Sequence, residues 1–217
     1  MINLQLFLIP TLETLYMVFL STVFAVIMGL PCGVYLVISE ETHVAPNPLF
    51  NKILNFIVNV SRSIPFIILM ILLFPLSRLI VGTTIGTTAT VIPLAIAAAP
   101  FVARVVESSL KEVNAGIIEA CRAQGASTMQ MITKVLLPEA LPSLVLGITM
   151  TVINLIGYSA MAGAIGGGGL GDLAIRYGFY RYEIEVLIIA VIIIIGLVQL
   201  MQVAGNRLAN AIYQKRS

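Results

Sequence analysis

The chain has 217 residues, of which 59% are hydrophobic and 10% charged, and its mean hydropathy is +1.04. A soluble domain carries about 25% charged residues, so there are too few charges here to cover a water-facing surface, and the composition points to a membrane protein. A net charge of +2, with the basic residues scattered, gives no footprint for a nucleic-acid partner.

Five stretches lack Asp, Glu, Lys and Arg: Thr14 to Ser39, Ser63 to Ser77, Leu79 to Ala103, Ala140 to Gly171 and Val186 to Asn206. About 20 apolar residues carry a helix across the hydrocarbon core, so four of these runs predict transmembrane helices unaided. The second is short and is completed if Arg78 snorkels outward at one end, with Arg62 near the opposite interface. Ile53 to Val60 then form a helix on the membrane surface or a tilted extension of the span. No basic segment precedes the first run, because the first positive charge is Lys52, so a cleaved signal peptide is not expected.

Cys32 falls in an apolar run and Cys121 in a polar helix far from it, and both read as unpaired. Glu40, Glu41 and His43 stand in the first loop with Pro46 and Pro48 and read as solvated residues; one histidine does not make a metal site. Pro93 and Pro100, with alanines between them, predict a kinked third helix with close neighbours, either as a gating hinge or as tolerated prolines in a packed bundle.

An odd number of spans puts the termini on opposite sides. With the C-terminus cytoplasmic, Lys52, Arg62, Arg104, Lys111, Arg122, Lys134, Arg207, Lys215 and Arg216 lie inside, leaving Arg78, Arg176 and Arg181 outside. That asymmetry obeys the positive-inside rule and places the N-terminus outside.

Between the third and fourth spans, Lys111 to Pro138 reads KEVNAGIIEACRAQGASTMQMITKVLLP. Ile117, Ile118 and Cys121 mark a short helix that Gly125 can end. Ser127 caps a second helix, with Gln130 completing a capping box, and Met131, Ile132, Val135 and Leu136 give it one apolar face. Pro138 and Pro142 sit where the fourth span begins. Two short helices about a glycine turn make a rigid cytoplasmic knob suited to another protein's groove.

EACRAQG, followed after nine residues by Val135, Leu136, Leu137 and Pro138, resembles the EAA loop of binding-protein-dependent importer permeases. Glu119, Ala120, Gly125, Leu137 and Pro138 match that motif, while Cys121 stands for its third alanine and Val135 for its isoleucine. SRSIPFIIL at Ser61 to Leu69 and GYSAMAGAIGGGGLGDLAIRYGF at Gly157 to Phe179 are most similar to the methionine permeases of this superfamily. The resemblance implies an all-α, type I importer permease fold of the ATP-binding cassette (ABC) class, with five transmembrane helices and a cytoplasmic coupling helix in one domain, residues 1–217, in a bacterial inner membrane. It implies as partners a second copy of the chain, two ATPase subunits docked on the loop, and an external methionine-binding protein.

Gly166, Gly168 and Gly171 spell G-x-G-x-x-G, but they follow an apolar span, with no strand and no acidic partner about 20 residues on, so a dinucleotide site is not expected. No G-x-x-x-x-G-K-[ST] occurs, so this chain cannot hydrolyse ATP by the P-loop route; if ATP drives transport, the partner ATPase that the resemblance implies binds it with magnesium, and no cofactor or metal is expected in this chain. Gly166, Gly167, Gly168 and Gly169 read as flexible, closely packed backbone where the fourth span meets the exterior, forming a gate, a contact for a delivery protein, or a plain loop. On the fourth span Asn154, Tyr158 and Ser159 are candidates for the substrate path, with Met161 offering a soft surface to a thioether, unless all four serve packing. The lack of a mid-membrane carboxylate argues against a proton-coupled carrier, and no nucleophile, base or ligand cluster suggests an enzyme.

Overall fold

The computed structural model describes residues 5–41 and 43–215, and every regular element among them is helical. In chain order these are α1 (Gln5–Ile38), α2 (Pro48–Ser63), α3 (Phe66–Leu72), α4 (Phe74–Val81), α5 (Thr87–Lys111), α6 (Ala115–Ala123), α7 (Thr128–Met131), α8 (Leu137–Gly163), α9 (Gly169–Leu173) and α10 (Ile184–Gln214). π-helical turns at Ile132–Leu136 and Ala174–Tyr180 join α7 to α8 and extend α9.

α1, α5, α10 and the continuous helix Thr128–Gly163 are each long and apolar enough to cross a membrane. The remaining crossing is built from shorter pieces. α2 meets α3 at 102°, because Ile64 precedes Pro65 and is driven to extended backbone, φ −81° and ψ 123°. From Phe66 the chain stays hydrogen-bonded through Leu73, whose N–H donates to Leu69 O at 3.0 Å and whose carbonyl accepts from Ser77 N at 2.9 Å. Pro75 has no N–H to give to Ile71, and this explains the interruption between α3 and α4. Together they cover 16 residues, about 24 Å, while α2 lies across them as the separate helix expected before the second run.

α2 is amphipathic in an unusual sense. Leu54 and Val58 pack inward, Asn51, Asn55 and Asn59 follow one another at helical spacing, and Leu49, Ile53, Phe56 and Val60 stay exposed. A helix divided this way has the pattern of one that lies at a membrane surface.

The third crossing corrects the sequence reading. Leu79 to Val81 close α4, and the third span starts at Thr87 and ends at Lys111, eight residues beyond Ala103. Gly82 and Gly86 adopt left-handed φ of 84° and 103°, so VGTTIG reverses the chain inside an uncharged run. Absence of charge marks solubility in lipid and not continuity of a helix. α1 likewise begins at Gln5, ahead of the expected Thr14.

α1 and α5 form the spine. Gly29 and Gly33 permit their contact: a Cβ on Gly29 would sit 2.6 Å from Ala99 O, and one on Gly33 would sit 2.5 Å from Ala103 O and from Val106 Cβ. α5 runs unbroken through Pro93 and Pro100. Pro93 cannot donate to Ala89, and the freed carbonyl accepts from Ser77 Oγ of α4 at 3.1 Å. Met17, Leu94, Val102, Leu110, Leu136 and Leu155 fill the core where α8 joins this pair. α10 is the least enclosed span, with 11% of its apolar window buried. Gly33→Leu would force side-chain atoms into the backbone of α5, and we expect unfolding in detergent to show a loss of about 1–3 kcal/mol.

Candidate functional site

Three groups of residues stand out, at the two ends of the bundle and along α8. At one end, Lys111 Nζ lies 2.7 Å from Glu40 Oε1 and Arg122 Nη2 donates to His43 O at 2.8 Å. The ends of α1 and α5 therefore share a face with α6. No residue of α6 is buried. Asn114 caps it through Gly116 N at 2.8 Å, and Gly125 ends it at φ 76°. Ser127 and Gln130 form the expected capping box, with bonds of 3.3 Å and 2.9 Å.

The motif is split by this geometry. Glu119, Ala120 and Gly125 are exposed, Cys121 is half-buried, and Val135, Leu137 and Pro138 are half-buried beside fully buried Leu136. The expected second helix is not a separate member of the knob. It runs through the π-turn straight into α8 as one 36-residue helix, because Leu137 N reaches back to Ile132 O ahead of Pro138, which has no N–H. The knob is therefore α6 and its glycine turn, mounted directly on the fourth span.

His43 also departs from a solvated loop residue. Its Nδ1 is buried without a hydrogen-bond partner among the described residues, and it borders a cavity of about 340 Å³ lined both by Lys111, Glu119 and Arg122 and by the apolar Leu110, Val113 and Ile118. Burial lowers its pKa; Glu40 opposes this, while Arg122 and Lys111 reinforce it.

Along α8, Leu146, Met150, Asn154, Gly157 and Met161 are exposed, and their spacing of three and four residues makes one stripe. The Asn154 side chain has no hydrogen-bond partner in the chain among the described residues. Tyr158 lies beside the stripe, stacked on Phe66 at 4.7 Å and 4° between ring planes. Ser159 is a correction: it is buried and donates to Ile156 O at 2.8 Å, a turn-local bond that keeps it off the stripe.

At the other end the glycine run is pinned. Gly86 N donates to Gly166 O at 2.9 Å. Glu13 Oε2 accepts from Gly169 N at 2.8 Å and Thr14 Oγ1 from Leu170 N at 2.9 Å. Gly166, Gly168 and Gly169 have φ of 84°, 80° and 76°, while Gly167 folds back onto Ala162 O at 2.9 Å. A Cβ on Gly171 would meet Ala160 O at 2.3 Å. These glycines therefore serve sharp reversal and the close packing expected of them. Glu13 and Thr14 were not foreseen, since 156 residues separate them from their partners and no local pattern signals the contact.

Comparison with known proteins comes from three directions. The family described as "Binding-protein-dependent transport system inner membrane component" matches residues 25–215. The chain is 51% identical over 201 residues to the probable D-methionine transport system permease protein MetI of Pasteurella multocida, covering 93% of each. It is also 51% identical over 151 residues to the D-methionine transport system permease protein MetI of Escherichia coli K12, covering 70% of each. Among solved structures, an inward-facing MetNI methionine ABC transporter chain superposes with a TM-score of 0.94 at 46% identity, over 96% of both chains. An amino acid ABC transporter shares the fold at a TM-score of 0.71 and 22% identity, over 98% of this chain and 94% of that one.

Two measurements check the geometry. Gly169→Ala places a side chain at positive φ and 2.7 Å from Thr14 Oγ1, so unfolding in detergent should show a loss of about 2 kcal/mol or more; Gly196→Ala, with nothing within 4 Å, should show none. The chain contains one histidine, so its ring resonance titrates alone, and the midpoint should fall below the ordinary value near 6.5. The folded protein then binds this proton less readily than the unfolded chain, so the contribution to stability is complete above about pH 6.5 and is lost as pH falls below it.

Proposed function

Because this chain belongs to the family of binding-protein-dependent transport system inner membrane components, we propose that it is the pore-forming permease subunit of an ATP-driven methionine importer. The observation that carries the reading is the pairing of two unpartnered surfaces on one helix. The continuous Thr128–Gly163 helix bears the exposed knob at its start and, further along, the exposed stripe with Asn154. A lone amide facing hydrocarbon is costly. It is satisfied if the stripe borders a water-filled path between two copies of the chain about a twofold axis.

In this reading Asn154 and Met161 line the path and Tyr158, held by Phe66, borders it. The carboxamide can meet the polar end of an amino acid, and the thioether of Met161 suits an apolar, sulfur-bearing side chain. Glu119, Ala120, Cys121 and Gly125 enter a cleft of a cytoplasmic ATPase, while Val135, Leu137 and Pro138 fix the knob to the span. Two such ATPases bind ATP and magnesium; their closure on nucleotide moves the two knobs and exchanges the open side of the path. The pinned run Gly166–Gly169 forms the external gate, facing a methionine-binding protein. The knob lies on the cytoplasmic face and the N-terminus outside, as the distribution of basic residues requires.

The test is ATP-dependent uptake of radiolabelled methionine into vesicles holding this chain, its ATPase and its binding protein. Gly125→Asp is the probe: nothing lies within 4 Å of a Cβ at this position, the φ of 76° costs a side chain about 1–2 kcal/mol locally, and the substitution places a charge on the docking face. Gly125→Ala carries the same strain without the charge and is the control. Uptake should fall by about tenfold or more, with the chain still inserted and its ATPase lost on purification. Uptake of another amino acid in place of methionine would transfer the substrate assignment, and uptake without the ATPase would overturn the mechanism.

A further inference from the structure

Glu107 is the one charged residue that is buried among the described residues, at 8% exposure. It sits on α5 one turn from the cytoplasmic end, and its two oxygens are used separately: Oε2 pairs with Arg104 Nη1 and Oε1 with Lys111 Nζ at 2.9 Å. Each partner reaches onward to a different element. Lys111 holds Glu40 of the first loop at 2.7 Å, three residues before His43, whose carbonyl receives Arg122 of the knob. Arg104 Nη2 donates to Asn59 Oδ1 of α2 at 2.8 Å. α2 is tied in turn to the end of α1, where Asn51 Nδ2 donates to Leu36 O at 2.7 Å.

Isolated surface ion pairs contribute little and tolerate rearrangement. A buried carboxylate shared by two cations is different, because its removal leaves Arg104 and Lys111 facing each other with uncompensated charge. Glu107 thus holds Arg104 and Lys111 in place on α5, and through them α5 touches Glu40 of the first loop and Asn59 of α2. α2 ends at the 102° corner at Ile64 and Pro65, and the next residue is Phe66, the ring stacked on Tyr158 beside the stripe.

We propose that Glu107 is a positioning residue for coupled transport: bridging Arg104 and Lys111, it carries movement of the docking knob through the first loop into α2 and so to the Phe66–Tyr158 stack. The inference rests on the transport reading above and assigns to the ion-pair chain a route to the path that is separate from the knob's direct mounting on α8.

The experiment uses the assembled complex in vesicles and reads methionine accumulated per ATP hydrolysed. The wild-type complex is the reference, and its failure to accumulate methionine would overturn the transport reading itself. With the wild type working, Glu107→Gln should lower the ratio by about fivefold or more while hydrolysis continues, and Glu107→Asp should restore it to within about twofold of wild type. An unchanged ratio in Glu107→Gln overturns the proposal. Should that variant fail to assemble, Glu40→Gln decides, since it cuts the loop from Lys111 and leaves both pairs of Glu107 intact: a lowered ratio supports the route and an unchanged one overturns it. Adding Arg122→Met to the weaker of these variants should cause no further loss if the contacts form one route, and two independent losses that multiply would also overturn it.

Discussion

The approach of α1 to α5 at Gly29 and Gly33 is the contact on which the other features depend. Without a hydrophobic force between apolar helices in lipid, association rests on close packing and on satisfied polar groups, and both are concentrated along this seam. The glycines bring the backbone of α1 against Ala99 O and Ala103 O. Ser21 of α1 donates to Val91 O at 3.2 Å, and Ser77 of α4 takes the carbonyl that Pro93 frees. The carbonyl that Pro93 frees is thus matched by a hydroxyl on a neighbouring helix. The spine so formed presents Glu13 and Thr14 to the glycine run at one end, and Glu107 with Lys111 to the first loop at the other.

The two ends are held by different chemistry. At the glycine-run end, backbone N–H groups are held by a carboxylate, a hydroxyl and a carbonyl from other elements, hydrogen bonds of modest net strength. At the first-loop end, the ties are ion pairs around a buried carboxylate. A transporter that opens its ends alternately needs one end that parts and recloses and another that keeps its elements in register as a partner moves them. The neutral and charge-assisted bonds around Gly166–Leu170 suit the first task, and the Glu40–Lys111–Glu107–Arg104 chain suits the second.

Much of this was legible from local patterns. Ser127 with Gln130, and Gly125 after a short apolar helix, are signals that need only neighbours within a turn, and each took the predicted conformation. That a helix precedes the short second run was also readable, although the 102° corner between them was not, because it comes from the effect of Pro65 on Ile64, which an apolar run does not register. The start of the third span was not, because hydropathy registers Gly82–Gly86 as merely uncharged while left-handed φ at two glycines ends a helix. Ser159 was assigned to the path by residue type, although a hydroxyl in a span has a carbonyl of its own turn within reach and here takes it.

The features least legible are those that join distant positions. Arg104, Glu107 and Lys111 follow each other at three and four residues, the spacing of helix ion pairs, so their mutual contact can be read from the chain. That Glu107 is buried cannot be, because the burial comes from packing of α5 against neighbouring helices. A charge is tolerated at such depth only when paired on the spot, so the pattern of cations around Glu107 is a requirement of folding before it is anything else. Because Arg104 and Lys111 lie on α5 with Glu107, the carboxylate is neutralised within one helix, and the mechanical use comes from what the two cations touch next: Glu40 of the first loop and Asn59 of α2.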